Sequence, residues 1–154
     1  IIFNIFRQKP NEIFFKEAKK NNVAIIVRVP LASGLLTGKM NLNSSFPKND
    51  HRNYNINGDS FDVGETFSGI NFHKGIEAVK ELKTLLPQDF SLTDLALKWI
   101  LSHDEVTVVI PGAKNKLQAQ LNTRASEMNN INTIMNSISD IYQSYFKDDV
   151  HSRW

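Results

Sequence analysis

Cysteine is absent from the 154 residues, which removes disulfides, zinc–thiolate centres and thiol nucleophiles together. A surplus of either charge is also missing. Eighteen basic residues against sixteen acidic ones leave +2, and no block of like charge marks a nucleic-acid patch or a polybasic membrane anchor. No apolar run approaches the roughly 20 residues that span a bilayer, and the first residues lack a signal-peptide pattern. The chain therefore reads as soluble and cytoplasmic, with neither nucleic acid nor membrane among its partners. It also lacks an initial methionine: IIFNIF has strand composition from Ile1 onward, with no cap or lead-in. The expectation is a single domain's worth of sequence from the C-terminal part of a longer protein.

What is present is an alternation of β-branched runs with helical stripes. The most informative stretch is DEVTVVIPGAKNKLQAQLN, Asp104 to Asn122. Val106 to Ile110 offers water no polar face, so it reads as a parallel strand buried on both sides, ended by Pro111. A helix follows the Pro-Gly turn, with Leu117 and Leu121 on a core-facing stripe and Gln118 and Asn122 on an adjacent polar face. Its first free N–H groups point back at Gly112, Ala113 and Lys114, combining partial positive charge, a residue without a Cβ and a full cation, as an anion site requires. Strand, Pro-Gly turn and helix also occur in α/β units that hold no ligand, so spacing alone leaves both readings open.

Elsewhere, Pro10 suits the first turn of a helix bearing Ile13, Phe14 and Ala18, with Asn21-Asn22 as its stop. Val23 to Val29 is a second strand, ended by Pro30. Leu31 to Lys39 is a small-residue loop in which Gly34 and Gly38 permit conformations closed to other residues. The polar loop 40–69 has apolar residues too sparse for an element, and loops of that length are functional or disordered. Phe72, Ile76, Val79, Leu82 and Leu86 form one helical stripe. Ser91 and Asp94 form an acidic capping box ahead of Leu92, Leu95, Ala96, Trp99 and Ile100. A C-terminal helix at 130–146 carries Ile131, Ile134, Met135, Ile138, Ile141, Tyr142 and Tyr145 on one face.

Three strands alternating with helices imply an α/β fold with parallel strands and right-handed crossovers. Buried-type strands in so small a sheet leave open edges, to be covered by missing sequence or by another copy. His51 in the loop lacks partners at metal-ligand spacing and reads as a loop staple. His73, His103 and His151 read as surface or cap residues, Asp62 and Glu65 as loop-ordering groups, and Tyr54, Tyr142 and Tyr145 as loop and packing residues.

The strings RVPLASGLLTGK (Arg28 to Lys39), FPKNDHR (Phe46 to Arg52), GETFSGI (Gly64 to Ile70), LALKWIL (Leu95 to Leu101), VIPGAKNKLQAQLN (Val109 to Asn122) and the terminal VHSRW, in that order, resemble the aldo-keto reductases over essentially the whole chain. The resemblance implies that residues 1–154 are the C-terminal, cofactor-binding part of a (β/α)8 barrel, about three parallel strands with flanking helices. It implies a nicotinamide cofactor, NADP(H), and a small-molecule aldehyde or ketone as substrate. It assigns the cofactor pyrophosphate to Leu31, Ala32, Ser33, Gly34 and Leu36, and the adenosine 2′-phosphate and adenine to Gly112, Ala113, Lys114, Gln118 and Asn122. Barrel sites generally lie at the C-terminal ends of strands, with phosphates near the last two, which agrees with this placement. Two positions depart from the pattern. Arg28 stands where many members carry an aromatic residue against the nicotinamide, and Gly112 stands where many carry a basic one, leaving Lys114 as the nearest cation.

The family's Tyr, Lys, Asp and His catalytic set is carried by no matching motif, so no catalytic residue and no metal ligand is assigned. The intact protein is expected to be an NADP-dependent reductase and this chain alone to be inactive. The alternatives are a non-catalytic nicotinamide-sensing regulatory subunit with the reductase fold, or an inactive half-barrel that pairs with another copy.

Overall fold

A computed structural model describes residues 1–153. Trp154, the last letter of the VHSRW string, lies outside the described residues. Two short strands, β1 (Ile26–Val27) and β2 (Val108–Val109), pair in parallel with Ile26 opposite Val108. Backbone bonds extend the pairing beyond them, from Thr107 N to Ile25 O and from Ile110 N to Val27 O. Beside β1, Ile2 makes a single parallel bridge to Arg28.

The chain is thus α/β with a small parallel sheet, but the expected third strand is only a bridge. The cause is local. Asn4 Oδ1 accepts from Phe6 N, and Asn4 O accepts from Arg7 N, so an Asx-type turn bends the backbone away after Asn4. Phe3, Ile5 and Phe6 are still fully buried.

The strands also differ from expectation in burial. Ile25 and Val27 face the core while Ile26 is exposed, and on β2 and just beyond it Val108 and Ile110 are exposed too. That is the alternation of a sheet covered on one side, not of one buried on both. A helix, α4 (Leu92–Leu101), packs on β2, and no described element covers the opposite face.

Helix α4 forms where its cap directs it. Ser91 Oγ accepts from Asp94 N while Asp94 Oδ2 accepts from Ser91 N, the reciprocal pair of a capping box. Leu92, Leu95, Ala96, Trp99 and Ile100 are all buried, each larger side chain contributing about 1.5–3 kcal/mol by leaving water. Trp99 stacks on Phe3 with centroids 4.8 Å apart, and Phe15 meets Phe3 edge-on at 4.6 Å. His103 sits against the same rings and is buried, so of its two readings, surface or cap, the surface one is corrected. Its Nδ1 donates to Trp99 O at 2.8 Å at the end of α4, and burial holds its pKa below the usual value.

Helix α1 (Phe14–Lys20) follows a 3-10 turn containing Pro10, and ends at Asn21 with Asn22 in the left-handed region. Phe15 and Ala18 are its buried face, whereas Ile13 is 71% exposed; Pro10, expected in the first turn of this helix, lies in the separate 3-10 turn before it. The segment 40–69, expected to hold no element, contains one helical turn, α2 (His51–Tyr54), and 3-10 turns at Val63–Glu65 and Phe67–Gly69. Side-chain caps start the first two: Asp50 accepts from Arg52 N, and Asp62 from Gly64 N. Such caps leave no trace in apolar periodicity. His51 Nδ1 lies 3.2 Å from Thr66 Oγ1, the staple its isolation suggested.

Helix α3 (Phe72–Thr84) buries Ile76, Val79 and Leu82. It packs on α6 (Met135–Tyr145), which buries Ile138, Ile141 and Tyr142. A last turn, α7 (Lys147–Val150), and a 3-10 turn at His151–Arg153 follow. Among the described residues no helix is long and apolar enough to cross a membrane.

Candidate functional site

Because β1 and β2 are parallel neighbours, the loops that follow them leave the same end of the sheet. The first carries Leu31, Ala32, Ser33, Gly34 and Leu36, and its backbone is unusual. Val29, Ala32 and Ser33 have φ of 55°, 47° and 54°, ahead of Gly34 at 100°. Left-handed backbone at non-glycine residues costs on the order of 1–3 kcal/mol each and persists only where surroundings enforce it, typically at functional sites.

The enforcement is visible. Ser33 Oγ donates to Glu65 O at 3.2 Å and accepts from Phe67 N at 2.9 Å. Fully buried Asn4 donates from Nδ2 to both Val29 O and Ser68 Oγ. Phe67 and Ser68 are themselves left-handed, with φ of 50° and 60°, so two strained segments are fastened to each other by Ser33 and Asn4. The Ser33 hydroxyl is consequently occupied by the fold. Gly34 is required by its positive φ; a Cβ there would lie 2.9 Å from Met40 Cε, the movable end of a flexible side chain.

Arg52 is a cation near this loop that spacing did not single out. Asp50 holds it through Nε and Nη2 at 2.9 and 2.6 Å, and it lies over the Phe46 ring. That pairing, with the backbone bond from Arg52, drives the Asp50 carboxyl far below the usual range. Arg28, at the end of the strand, pairs with Glu65 at 2.5 Å.

The second loop gathers Gly112, Ala113, Lys114, Gln118 and Asn122 around the start of α5 (Lys116–Arg124). Asn115 caps the helix by accepting from Gln118 N. Gln118 Oε1 accepts from Lys114 N at 2.7 Å, and Asn122 Nδ2 donates to Gly112 O at 3.2 Å. The two amides therefore brace the loop as well as facing outward together. No described hydrogen bond uses Gln118 Nε2 or Asn122 Oδ1. A Cβ at Gly112 would meet nothing within 4 Å, so no close approach within the chain explains that glycine.

The expected core stripe of α5 is not observed. Leu117 is 63% exposed and Leu121 is exposed as well; the helix has no buried residue. Its tether is polar: Arg124 Nε and Nη2 reach Asp94 Oδ1 and Oδ2 at 3.1 and 2.5 Å. Burial pushes the Asp94 pKa up, but the bonds from Arg124 and Ser91 outweigh it and leave the carboxyl below its ordinary value.

The tyrosines lie away from both loops. Tyr142 shares a hydrogen bond with His151 Nδ1 at 2.9 Å, and His151 Nε2 lies 3.2 Å from Glu12. Burial above all pushes the Tyr142 phenol up to about 12, which suits a strut between α6 and the α1 region. Tyr54 is exposed. Among the described residues no acidic or histidine cluster could hold a metal. What the two loops can do chemically is bind: strained backbone on one side, a cation and a helix N-terminus on the other.

A family model described as the Aldo/keto reductase family matches residues 1–142. Aldo-keto reductase YhdN of Bacillus subtilis (strain 168) is 28% identical over 148 residues, which is 90% of this chain and 42% of that protein. Aldo-keto reductase yakc [NADP(+)] of Schizosaccharomyces pombe is 26% identical over 113 residues, covering 73% and 31% respectively. Among solved structures, the glycerol dehydrogenase AKR11B4 from Gluconobacter oxydans superposes with a TM-score of 0.72 at 24% identity, over 97% of this chain and 42% of that one. The holo form of the aldo-keto reductase AKR11C1 from Bacillus halodurans gives 0.64 at 22% identity, over 97% and 44%. The chain spans less than half the length of these relatives.

Proposed function

The chain belongs to the aldo/keto reductase family, and from that premise we propose that it is the cofactor-binding C-terminal part of an NADPH-dependent reductase of aldehydes or ketones, working in the cytoplasm. The observation that carries this reading is the parallel register of β1 and β2, because it sends both anion-suited loops out at one end. Family membership supports an oxidoreductase, and the Schizosaccharomyces pombe relative, named for NADP(+), supports the phosphorylated cofactor.

The residues present fit such a cofactor. Lys114 and the first free N–H groups of α5 suit the 2′-phosphate, Gln118 and Asn122 offer an amide donor and acceptor to the adenine side, and the backbone of residues 31–36 suits the pyrophosphate. When bound, the nicotinamide would supply the hydride. This chain's residues would hold and orient it, and the proton donor would come from the remainder of a (β/α)8 barrel, so residues 1–154 alone are expected to be inactive. That remainder, or a second copy, would also cover the exposed Ile26, Val108 and Ile110.

The test is titration of the chain with NADPH and NADH, as wild type and as Lys114→Ala. A selective loss of NADPH affinity of about 1–3 kcal/mol is expected for a charge-assisted contact. Equal weakening of both cofactors would refute the 2′-phosphate role.

A further inference from the structure

Asn4 has no part in the cofactor reading, yet its side chain holds the segment that the reading depends on. It is fully buried. Both hydrogens of its amide are engaged: Nδ2 donates to Val29 O at 2.9 Å and to Ser68 Oγ at 2.8 Å, while Oδ1 accepts from Phe6 N at 3.0 Å. Segments 25 and 64 residues away in sequence therefore meet on one amide. A buried amide is costly unless its hydrogen bonds are made, so its place here is explained by what it holds.

The need for a directed bond is greatest at Val29. Its φ of 55° is an outlier for a β-branched residue, and Pro30 follows it, which drives the preceding backbone toward extended conformations. Val29 is disfavoured on both counts. Its carbonyl also accepts from Ala32 N at 3.2 Å, and the left-handed Ala32 and Ser33 come next. Asn4 thus grips the carbonyl from which the turn into residues 31–36 is made. Its other hydrogen holds Ser68, left-handed as well, whose neighbour Phe67 donates from N to Ser33 Oγ. Asn4 and Ser33 clamp the same two segments at two points, and all of these bonds are internal to the chain. The shape of the loop is accordingly a property of the fold.

We propose that Asn4 is a positioning residue for the cofactor pyrophosphate: through Val29 it presets the strained backbone of residues 31–36, so that a dinucleotide meets a loop that need not reorganise. The pyrophosphate half of that statement rests on the reductase reading above. Preorganisation raises affinity by removing an ordering cost from the binding step. Without the Asn4 bond the strained residues relax, and each binding event must restore them. Because NADPH and NADH share the pyrophosphate, the loss falls on both alike, unlike the selective loss expected at Lys114.

The experiment is isothermal titration of the 154-residue chain with NADPH, NADH and adenosine 2′-monophosphate, which carries the 2′-phosphate and adenine but no pyrophosphate. Asn4→Leu and Ser68→Ala are compared with wild type at a temperature where circular dichroism shows each fully folded. Affinity for NADPH and NADH is expected to fall by a common factor, about tenfold in Asn4→Leu and about threefold in Ser68→Ala, with adenosine 2′-monophosphate binding as in wild type. Ser68→Ala removes only the hydroxyl and keeps the carbonyl that faces Arg7, so it carries the test if Asn4→Leu does not fold. An equal loss for adenosine 2′-monophosphate would show that the amide merely holds the fold together, and overturns the proposal. Dinucleotide affinity unchanged in the folded variants overturns the positioning role and leaves the reductase reading in place. Absence of dinucleotide binding by wild type overturns both.

Discussion

At Ser33 a single hydroxyl both donates and accepts across a gap of more than thirty residues, to Glu65 O and from Phe67 N. Ser33→Ala leaves two backbone groups without that partner, and a loss of about 1–3 kcal/mol in urea unfolding is expected. Gly34→Ala should destabilise by about 1 kcal/mol or more through its φ of 100°, and it should weaken cofactor binding as the strained loop relaxes. An unchanged midpoint in both variants would remove the claim that this strained loop is held in place by these residues. The small residues of the loop and the glycine positions were legible in the sequence. Asn4 and Arg7 were not, because their partners lie 64 and 61 residues away at Ser68, and no local pattern encodes such a meeting.

At the scale of elements, α5 is the informative case. Leu117 and Leu121 have the spacing of a buried stripe, yet both are exposed, because spacing says only which residues share a face and not whether anything covers that face. Stripes on α3, α4 and α6 were readable since each meets another described element. The strands were over-read, because β-branched runs give the same signal whether one face is covered or two. With no buried residue of its own, α5 depends on the Arg124–Asp94 pair, and the sign of its pH dependence follows from Asp94. The folded-state pKa of that carboxyl is depressed, so its contribution is present above the ordinary carboxylate value, near 4, and is lost as pH falls through the lower folded value. Thermal melts should show Arg124→Gln below wild type at pH 7, with the gap closing toward pH 2. A gap independent of pH would mean that Arg124 acts by packing alone.

For the molecule as a whole, Ile26, Val108 and Ile110 share the uncovered side of the sheet. Exposed apolar residues grouped on one uncovered sheet face favour association. Sedimentation velocity of the isolated chain should accordingly show concentration-dependent species above 17.5 kDa, reduced by Val108→Lys. A monomer at all concentrations would show that this surface tolerates water unaided.

The pairing of Ile26 with Val108 also has a metric meaning. Both candidate loops begin where their strands end, so the offset between Ser33 and Lys114 starts from sheet register, to which the bracing bonds of each loop add. A slip of one residue would move one loop about 3.3 Å along the other and would turn Val27 out of the core. The hydrophobic side chains beneath the sheet are thus the ruler against which the span between the two anion-suited ends is measured.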